Sequence, residues 1–227
     1  MFPHGPPGPA LSGRGKAALA KLAVLASGNG SNFEALARAL EGSAHRLVLL
    51  VHDRKDAYAR ERAVRLGIPS RHVTWAGRSR EEAEAELSSA LSEAGTELVA
   101  LAGFMRLLSP AFVENWAGRL VNVHPSVLPA WPGVDSVRRS FEAGAEEFGV
   151  TVHYVDSGMD TGTVIAQLKF RRWPGATLEE VEARVHELEH QLYPSVALEL
   201  LDRMDASRSG AKSSPASGLA PDEGVTR

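Results

Sequence analysis

The stretch from position 22 to position 32 reads LAVLASGNGSN and joins two kinds of local pattern. Leu22–Ala26 is a short apolar run, which is typical of a buried strand. Six residues rich in Gly, Ser and Asn follow, and Ser31 with Glu34 predicts a capping box at the start of a helix over 32–41. A strand, a glycine-rich turn and a helix in this order predict the first unit of a parallel sheet.

The alternation of short strands and helices continues beyond this unit. It predicts helices near 56–66 and from Ser79 onward, and strands at Arg46–Val51, Leu98–Ala102 and Leu120–Val123. Gly149–Val155 and Thr163–Phe170 lie too close together for a crossover helix, so they predict an antiparallel addition. Thr177 and Glu180 predict a capping box before a long final helix. We therefore expect a three-layer, Rossmann-like α/β fold with a mostly parallel sheet, an antiparallel C-terminal addition and a long final helix.

The two ends of the chain differ in composition from the region between them. Residues 1–17 are rich in Pro and Gly, and residues 205–227 in Ser, Ala, Gly and Pro. Such segments bury too little apolar surface to offset the entropy of ordering them. We expect a flexible N-terminal tail over 1–17, one domain over 18–204 and a flexible C-terminal tail over 205–227.

Composition narrows the classes of function. The 227 residues are 44% hydrophobic and 23% charged, as in ordinary globular proteins, and the absence of cysteine excludes disulfides and cysteine-ligated metals. No apolar window approaches the ~20 residues that span a bilayer, so we expect a cytoplasmic protein without a membrane partner. With a net charge of −3 and no dense Lys/Arg stripe, we expect no nucleic-acid partner, and small molecules as ligands of a monomer or homodimer.

The glycine-rich turn at 27–32 is a candidate anion site. The first N–H groups of a helix and the positive end of its dipole face such a turn, and glycines let a phosphate approach the backbone. A tight turn without a ligand explains the pattern about equally well. Gly28 and Gly30 form only part of a dinucleotide fingerprint, because Phe33 occupies the third glycine position, although Asp53 could act as the acidic ribose partner.

Polar residues at the end of a strand and in a later loop are candidates for catalysis. Asn122 and His124 are two positions apart at a strand end, so their side chains share one face of the sheet. Asp160 lies in the glycine-punctuated segment 156–162 between the last two strands. Simpler interpretations also exist, because His124 could be a strand-end histidine bonded to a neighbouring carbonyl and Asp160 could be an ordinary turn residue. Spacing alone does not bring Asp160 to His124.

The final helix contains His186-Glu187-Leu188-Glu189-His190, which matches the H-E-x-x-H zinc motif. The helical period places both histidines opposite the apolar stripe of Val181, Val185, Leu188, Leu192 and Val196, so we expect them to face solvent rather than a metal. Glu189 lies nearer to the stripe, at the margin of the core.

Several of these motifs occur together in one known family. The segments Asn122–Ser126, Leu128-Pro129, Pro132-Gly133 and Met159–Gly162 are similar, in order and spacing, to the folate-dependent formyltransferase core. Leu101–Leu108 resembles the stretch that lines the folate site in the family's enzyme of purine synthesis. The resemblance covers about residues 22–203 and is closest to the enzyme of purine synthesis. It implies transfer of a formyl group from 10-formyltetrahydrofolate, as co-substrate, to the glycine amine of glycinamide ribonucleotide, without a metal.

The resemblance also implies a role for individual residues. Asn122 would bind the formyl oxygen, His124 would be the general acid, and Asp160 would hold the imidazole in its charged form. The substrate would be bound by Gly30, Ser31, Asn32 and Glu189, and the folate by Arg80, Met105, Arg106, Leu107, Leu108 and Asn122. Two positions depart from the family pattern, with Asp135 in place of a frequent His and Thr163 in place of a usual Pro.

Two alternatives remain at this point. A sister enzyme, such as a formyl-folate hydrolase or a methionyl-tRNA formyltransferase, would share the core, but we expect it to carry a further domain that the short tails do not supply. A non-catalytic nucleotide-binding module would use the turn at 27–32 and Asp53, but would leave Asn122, His124 and Asp160 without a role.

Overall fold

A computed structural model describes residues 20–211, with side chains to residue 208. Seven strands form one sheet in the order β3-β2-β1-β4-β5-β6-β7. The strands are β1 Lys21–Ala26, β2 Arg46–His52, β3 Ser70–His72, β4 Leu98–Leu101, β5 Leu120–His124, β6 Glu147–Tyr154 and β7 Val164–Arg171. The helices are α1 Ser31–Leu40, α2 Ala59–Leu66, α3 Arg80–Glu93, α4 Pro110–Asn115, α5 Ser136–Glu142 and α6 Leu178–Ala211. Strands β1 to β5 are parallel, and β6 and β7 pair antiparallel, as expected.

The sheet separates two hydrophobic cores, which makes three layers. On one face, Val121 and Val123 of β5 pack with α1 and with the predicted apolar stripe of α6. On the other face, Leu120 packs with α3 and α4. Because side chains alternate along a strand, Asn122 and His124 share the face of Leu120.

The predicted capping box at Ser31 and Glu34 is wrong. Helix α1 begins at Ser31 itself, and its N-cap is Gly30, which has φ +76° and forms no side-chain cap. A Cβ atom on Gly30 would lie 2.6 Å from Cβ of Ala59, so only glycine fits the turn against α2. The Glu34 carboxylate instead pairs with Arg38 and Arg62. The other two predicted boxes, at Ser79 with Glu82 and at Thr177 with Glu180, are present.

Three short elements were not predicted, namely β3, α4 and α5. Strand β3 has three exposed residues and therefore no apolar alternation to reveal it. Helix α4 has six residues, too few for a periodic pattern, although Ser109 at its N-cap and Pro110 at its first position are a start signal. Helix α5 follows Asp135, which has a left-handed backbone and forms no side-chain cap.

The predicted domain end at residue 204 needs correction, because α6 continues to Ala211. The reason is that its last turns carry contacts to the domain. Asp205 is 9% exposed, and its Oδ2 lies 3.4 Å from Nδ1 of buried His45. Arg208 pairs with Glu97, which precedes β4. Residues 1–17 and 212–227 of the predicted tails lie outside the described residues.

Candidate active site

The glycine-rich turn presents the N-terminus of α1 at the carboxyl edge of the sheet. The first N–H groups of a helix have no partner within it, so they face whatever occupies the turn. Arg62 of α2 holds the turn from outside, donating from Nε to the carbonyl of Asn29 at 2.9 Å and from its terminal nitrogen to Asn29 Oδ1 at 2.8 Å. The same guanidinium pairs with Glu34, which fixes it beside the first turn of α1.

Glu189 connects the turn to the final helix. Its Oε2 accepts hydrogen bonds from Asn32 Nδ2 at 3.0 Å and from His186 Nδ1 at 2.9 Å, and Glu189 itself is 4% exposed. The hydrogen bond to Glu189 raises the pKa of His186. Asn32 Oδ1 is buried and has no hydrogen-bond partner within residues 20–208. The predicted substrate residues Gly30, Ser31, Asn32 and Glu189 therefore lie together.

Tyr193, one helical turn after Glu189, fixes α6 to the centre of the sheet. It is fully buried, and its hydroxyl lies 2.9 Å from the carbonyl of Leu101 and 3.0 Å from that of Val121. Burial raises its pKa well above the usual value, so it stays neutral. Since these carbonyls belong to β4 and β5, Tyr193 places Glu189 close to the strand end that carries Asn122.

The three predicted catalytic residues converge at the end of β5. Asp160 Oδ2 lies 3.3 Å from Nδ1 of His124, and Nε2 of His124 lies 2.9 Å from the carbonyl of Trp131. Both ring nitrogens thus face oxygen acceptors, and only the doubly protonated imidazolium can donate to both. Asn122 lies beside them, with Nδ2 at 3.2 Å from Nε2 of His153.

The loop that carries Asp160 is fixed by its own backbone and by neighbouring loops. Asp156 Oδ1 accepts from the N–H of Gly158 at 3.0 Å and from Thr161 Oγ1 at 2.7 Å. Gly162 packs against the backbone, since a Cβ there would collide with the carbonyl oxygen of Tyr154. Asp160 has φ +55°, and its Oδ2 accepts from the N–H of Gly133 at 2.7 Å. These contacts aim the carboxylate at His124.

The predicted folate segment follows β4, on the opposite side of the glycine-rich turn from α1. Ser27 Oγ accepts from the N–H of Met105 at 2.8 Å, and Arg106 Nε donates to Asp53 Oδ2 at 2.6 Å. The side chains of Met105 and Leu107 are exposed, at 58% and 64%. These contacts hold the backbone while leaving apolar side chains free for a ligand.

Arg80, also predicted to bind the folate, is placed near the folate segment by helix α3. It is the first residue of α3, and Glu84, four positions later on the same face, accepts from the N–H of Ser109 at 2.6 Å. The first turn of α3 therefore lies beside the end of the predicted folate segment, which includes Leu108.

Two other candidate sites in the sequence were Asp53, as the acidic residue of a nucleotide site, and the histidine pair His186 and His190, as metal ligands. Asp53 is buried, and its Oδ2 pairs with Arg106, whereas its Oδ1 has no hydrogen-bond partner within the described residues. His186 and His190 are both exposed, as expected. No group of three or more His, Asp or Glu side chains suited to a metal ion occurs within the described part of the chain.

His153 and Tyr193 were missed in the sequence. His153 lies in a predicted strand, and its position opposite Asn122 follows only from the antiparallel register of β5 and β6. Once that register is assumed, the pairing of Asn122 with a histidine is a signal. Tyr193 gives no comparable signal, because an aromatic residue in an amphipathic helix is usually a core residue.

The formyl transferase family model matches residues 20–197, which include the turn, the Asn122–His124–Asp160 cluster and Glu189. The chain belongs to the formyl transferase family. The fold, the family and the enzyme class expected from the sequence are thereby confirmed.

Individual relatives narrow the comparison further. The chain is 46% identical over 187 residues to phosphoribosylglycinamide formyltransferase of Bacillus subtilis (strain 168), covering 80% of this chain and 94% of the relative. It is 44% identical to a trifunctional purine biosynthetic protein adenosine-3 of Drosophila pseudoobscura pseudoobscura, covering 80% of this chain but 14% of that protein. The crystal structure of glycinamide ribonucleotide transformylase 1 from Geobacillus kaustophilus matches with a TM-score of 0.78 and 43% identity, over 81% of this chain and 100% of that one.

Within residues 20–211, no helix combines the length and apolar character needed to cross a bilayer.

Proposed function

We propose that this protein transfers a formyl group from 10-formyltetrahydrofolate to the glycine amine of glycinamide ribonucleotide. The observation that carries the proposal is the cluster of Asn122, His124 and Asp160 at the sheet edge that also carries the glycine-rich turn, in a chain that covers 94% of its Bacillus subtilis relative. A substrate with a phosphate and an amine matches the turn and Glu189, and a folate matches the apolar segment at 103–108.

Two substrates would enter from different sides of the sheet edge. The N–H groups at Gly30, Ser31 and Asn32 would bind the phosphate, and the Glu189 carboxylate would accept from the amine. Asn32 Oδ1, buried without a partner in the described structure, would accept from a donor on this substrate. The folate would lie against Arg80, Met105, Arg106, Leu107 and Leu108, next to Asn122.

The chemistry is direct acyl transfer. The amine attacks the formyl carbon and forms the new C–N bond, which converts the carbonyl oxygen to an oxyanion. Asn122 Nδ2 would donate to that oxyanion, and His124 would donate a proton to it or to the folate nitrogen as the old C–N bond breaks. The folate nitrogen leaves in its protonated form, and the proton that the attacking amine loses restores the imidazolium of His124, which Asp160 would stabilise. An oxyanion donor and a general acid each contribute ~100-fold or more.

The decisive experiment follows formation of tetrahydrofolate by absorbance, with both substrates present and with each omitted. We expect product only when glycinamide ribonucleotide is supplied. Equal turnover without it would support a formyl-folate hydrolase instead. Tight binding of NAD by a chain that forms no product would support a nucleotide-binding module. The cytoplasmic location, the monomeric or dimeric state and independence of metals stay predictions, and turnover unaffected by chelators would support the last.

A further inference from the structure

His153 contacts the candidate oxyanion donor from the neighbouring strand. It lies on β6 directly opposite Asn122 of β5 in the antiparallel register, and it is 2% exposed. Its Nε2 is 3.2 Å from Asn122 Nδ2, and its Nδ1 is 2.8 Å from the carbonyl oxygen of Tyr154. Each ring nitrogen of His153 therefore has its own defined partner.

These two partners determine where the proton of the neutral ring lies. A carbonyl oxygen can only accept, so Nδ1 of His153 must carry the hydrogen. In the neutral ring Nε2 then has a lone pair, and it can accept a hydrogen bond only from the amide nitrogen of Asn122. Asn122 Oδ1 in that place would put two acceptors against each other.

The surroundings favour this neutral form. Burial lowers the pKa of His153, and the nearby positive charge of His124 acts in the same direction. The hydrogen bond to the Tyr154 carbonyl raises this pKa, as do Asp160 and Asp156 on the loop after β6, but together they do not outweigh burial. Asp160 Oδ1 is 3.7 Å from Nε2, beyond hydrogen-bond distance, and its Oδ2 serves His124 and Gly133.

We propose that His153 is a positioning residue that fixes the amide of Asn122 with its nitrogen, rather than its oxygen, directed into the site. This inference rests on the proposed formyl transfer. One N–H of Asn122 is held by His153, which leaves the second N–H for the developing oxyanion. Without His153 the amide can rotate by half a turn and present Oδ1, which repels an oxyanion.

The test compares two substitutions in two backgrounds. His153→Leu removes the acceptor, whereas His153→Gln keeps an oxygen that can accept from Asn122. We expect His153→Leu to lower kcat by on the order of 10-fold, less than the ~100-fold or more for loss of the donor itself, while KM for both substrates stays near the wild-type value. His153→Gln should recover most of this loss. In an Asn122→Ala background, measured under single-turnover conditions, His153→Leu should have no further effect.

Other outcomes overturn the inference in recognisable ways. Wild-type kcat in His153→Leu, or the same fold loss in the Asn122→Ala background, would show that His153 does not act through Asn122. Nuclear magnetic resonance of the wild-type chain gives a second measurement if His153→Leu does not fold. We expect 15N shifts of a neutral ring protonated at Nδ1, and the opposite tautomer would contradict the proposal. A wild-type chain that does not formylate glycinamide ribonucleotide would instead overturn the proposed function, and this inference with it.

Discussion

The glycine-rich turn at 27–32 and the Asn122–His124–Asp160 cluster lie at the same edge of the sheet, but they are assembled differently. The turn consists of consecutive residues, and its conformation follows from Gly30 and the helix that it starts. The cluster joins a strand end to a distant loop, and it also needs the register of β5 with β6 and the backbone of Gly133. Consecutive residues therefore indicate where a local turn lies, although not how it is capped, whereas a dispersed cluster needs the topology of the sheet first.

The largest effect should come from the dispersed site. We expect His124→Asn to lower kcat by ~100-fold or more, because it removes the candidate general acid. KM for glycinamide ribonucleotide should change little, since the turn and Glu189 are untouched. Steady-state kinetics with both substrates provides the measurement, and His190→Asn, an exposed histidine on α6, is the matched control. A large rise in KM at unchanged kcat would show that His124 binds substrate rather than acting on it.

Asp160→Asn tests whether the dispersed cluster acts as one unit. Asp160 Oδ2 lies 3.3 Å from Nδ1 of His124, so replacing the carboxylate should lower kcat by roughly tenfold or more, because the His124 ring loses its charged partner. The losses in the double variant with His124→Asn should be smaller than the product of the single losses. Fully multiplicative losses would mean that Asp160 supports only the conformation of its own loop.

The sequence predicted the fold well where the patterns were long or strongly punctuated. Strands β1, β2, β4 and β5, the capping boxes of α3 and α6 and the apolar stripe of α6 all lie where expected. It failed where an element is short, as for β3 and α4, and where a backbone conformation replaces a side-chain cap, as at Gly30.

The site shows the same division. The residue types of Asn122, His124 and Asp160 suggested chemistry, but their meeting rested on resemblance to a family until the structure placed them together. His153 and Tyr193 could not be found from periodicity, because their roles come from a partner strand and from buried carbonyl groups. Long-range register and side-chain hydrogen bonds are not encoded in local spacing.

Gly30→Ala tests the local site. A left-handed backbone at a non-glycine residue costs ~1–2 kcal/mol, and the added Cβ would also collide with Ala59. We expect a lower free energy of unfolding, measured with urea, and a higher KM for glycinamide ribonucleotide. Gly42→Ala is the control, because Gly42 has φ +77° but no atom within 4 Å of an added Cβ. Equal effects of the two substitutions would show that the close approach to α2 is unimportant.

The corrected domain boundary gives a smaller effect. A chain that ends at residue 204 loses the contacts of Asp205 with His45 and of Arg208 with Glu97. Each kcal/mol of lost stability lowers Tm by roughly 2–4 °C in a domain of this size, so we expect a decrease of a few degrees. A chain that ends at residue 211 should melt like the full chain. If both truncations left Tm unchanged, the last turns of α6 would contribute nothing to stability.

The smallest effect concerns His186 and Glu189, where the local turn meets the final helix. Because Glu189 accepts from Nδ1 of His186, the pKa of His186 is raised, and Glu189→Gln should lower it toward its ordinary value of about 6.5. The hydrogen bond between His186 and Glu189 contributes fully to stability at pH values below the ordinary pKa of histidine. This contribution disappears as the pH rises through the raised pKa of His186. The exposed ring makes this contribution small. A titration of His186 by nuclear magnetic resonance measures the shift, and Glu187→Gln, which removes only the partner of Arg184, should leave it unchanged. An identical His186 titration in Glu189→Gln would mean that the Glu189 carboxylate does not stabilise the charged form of His186.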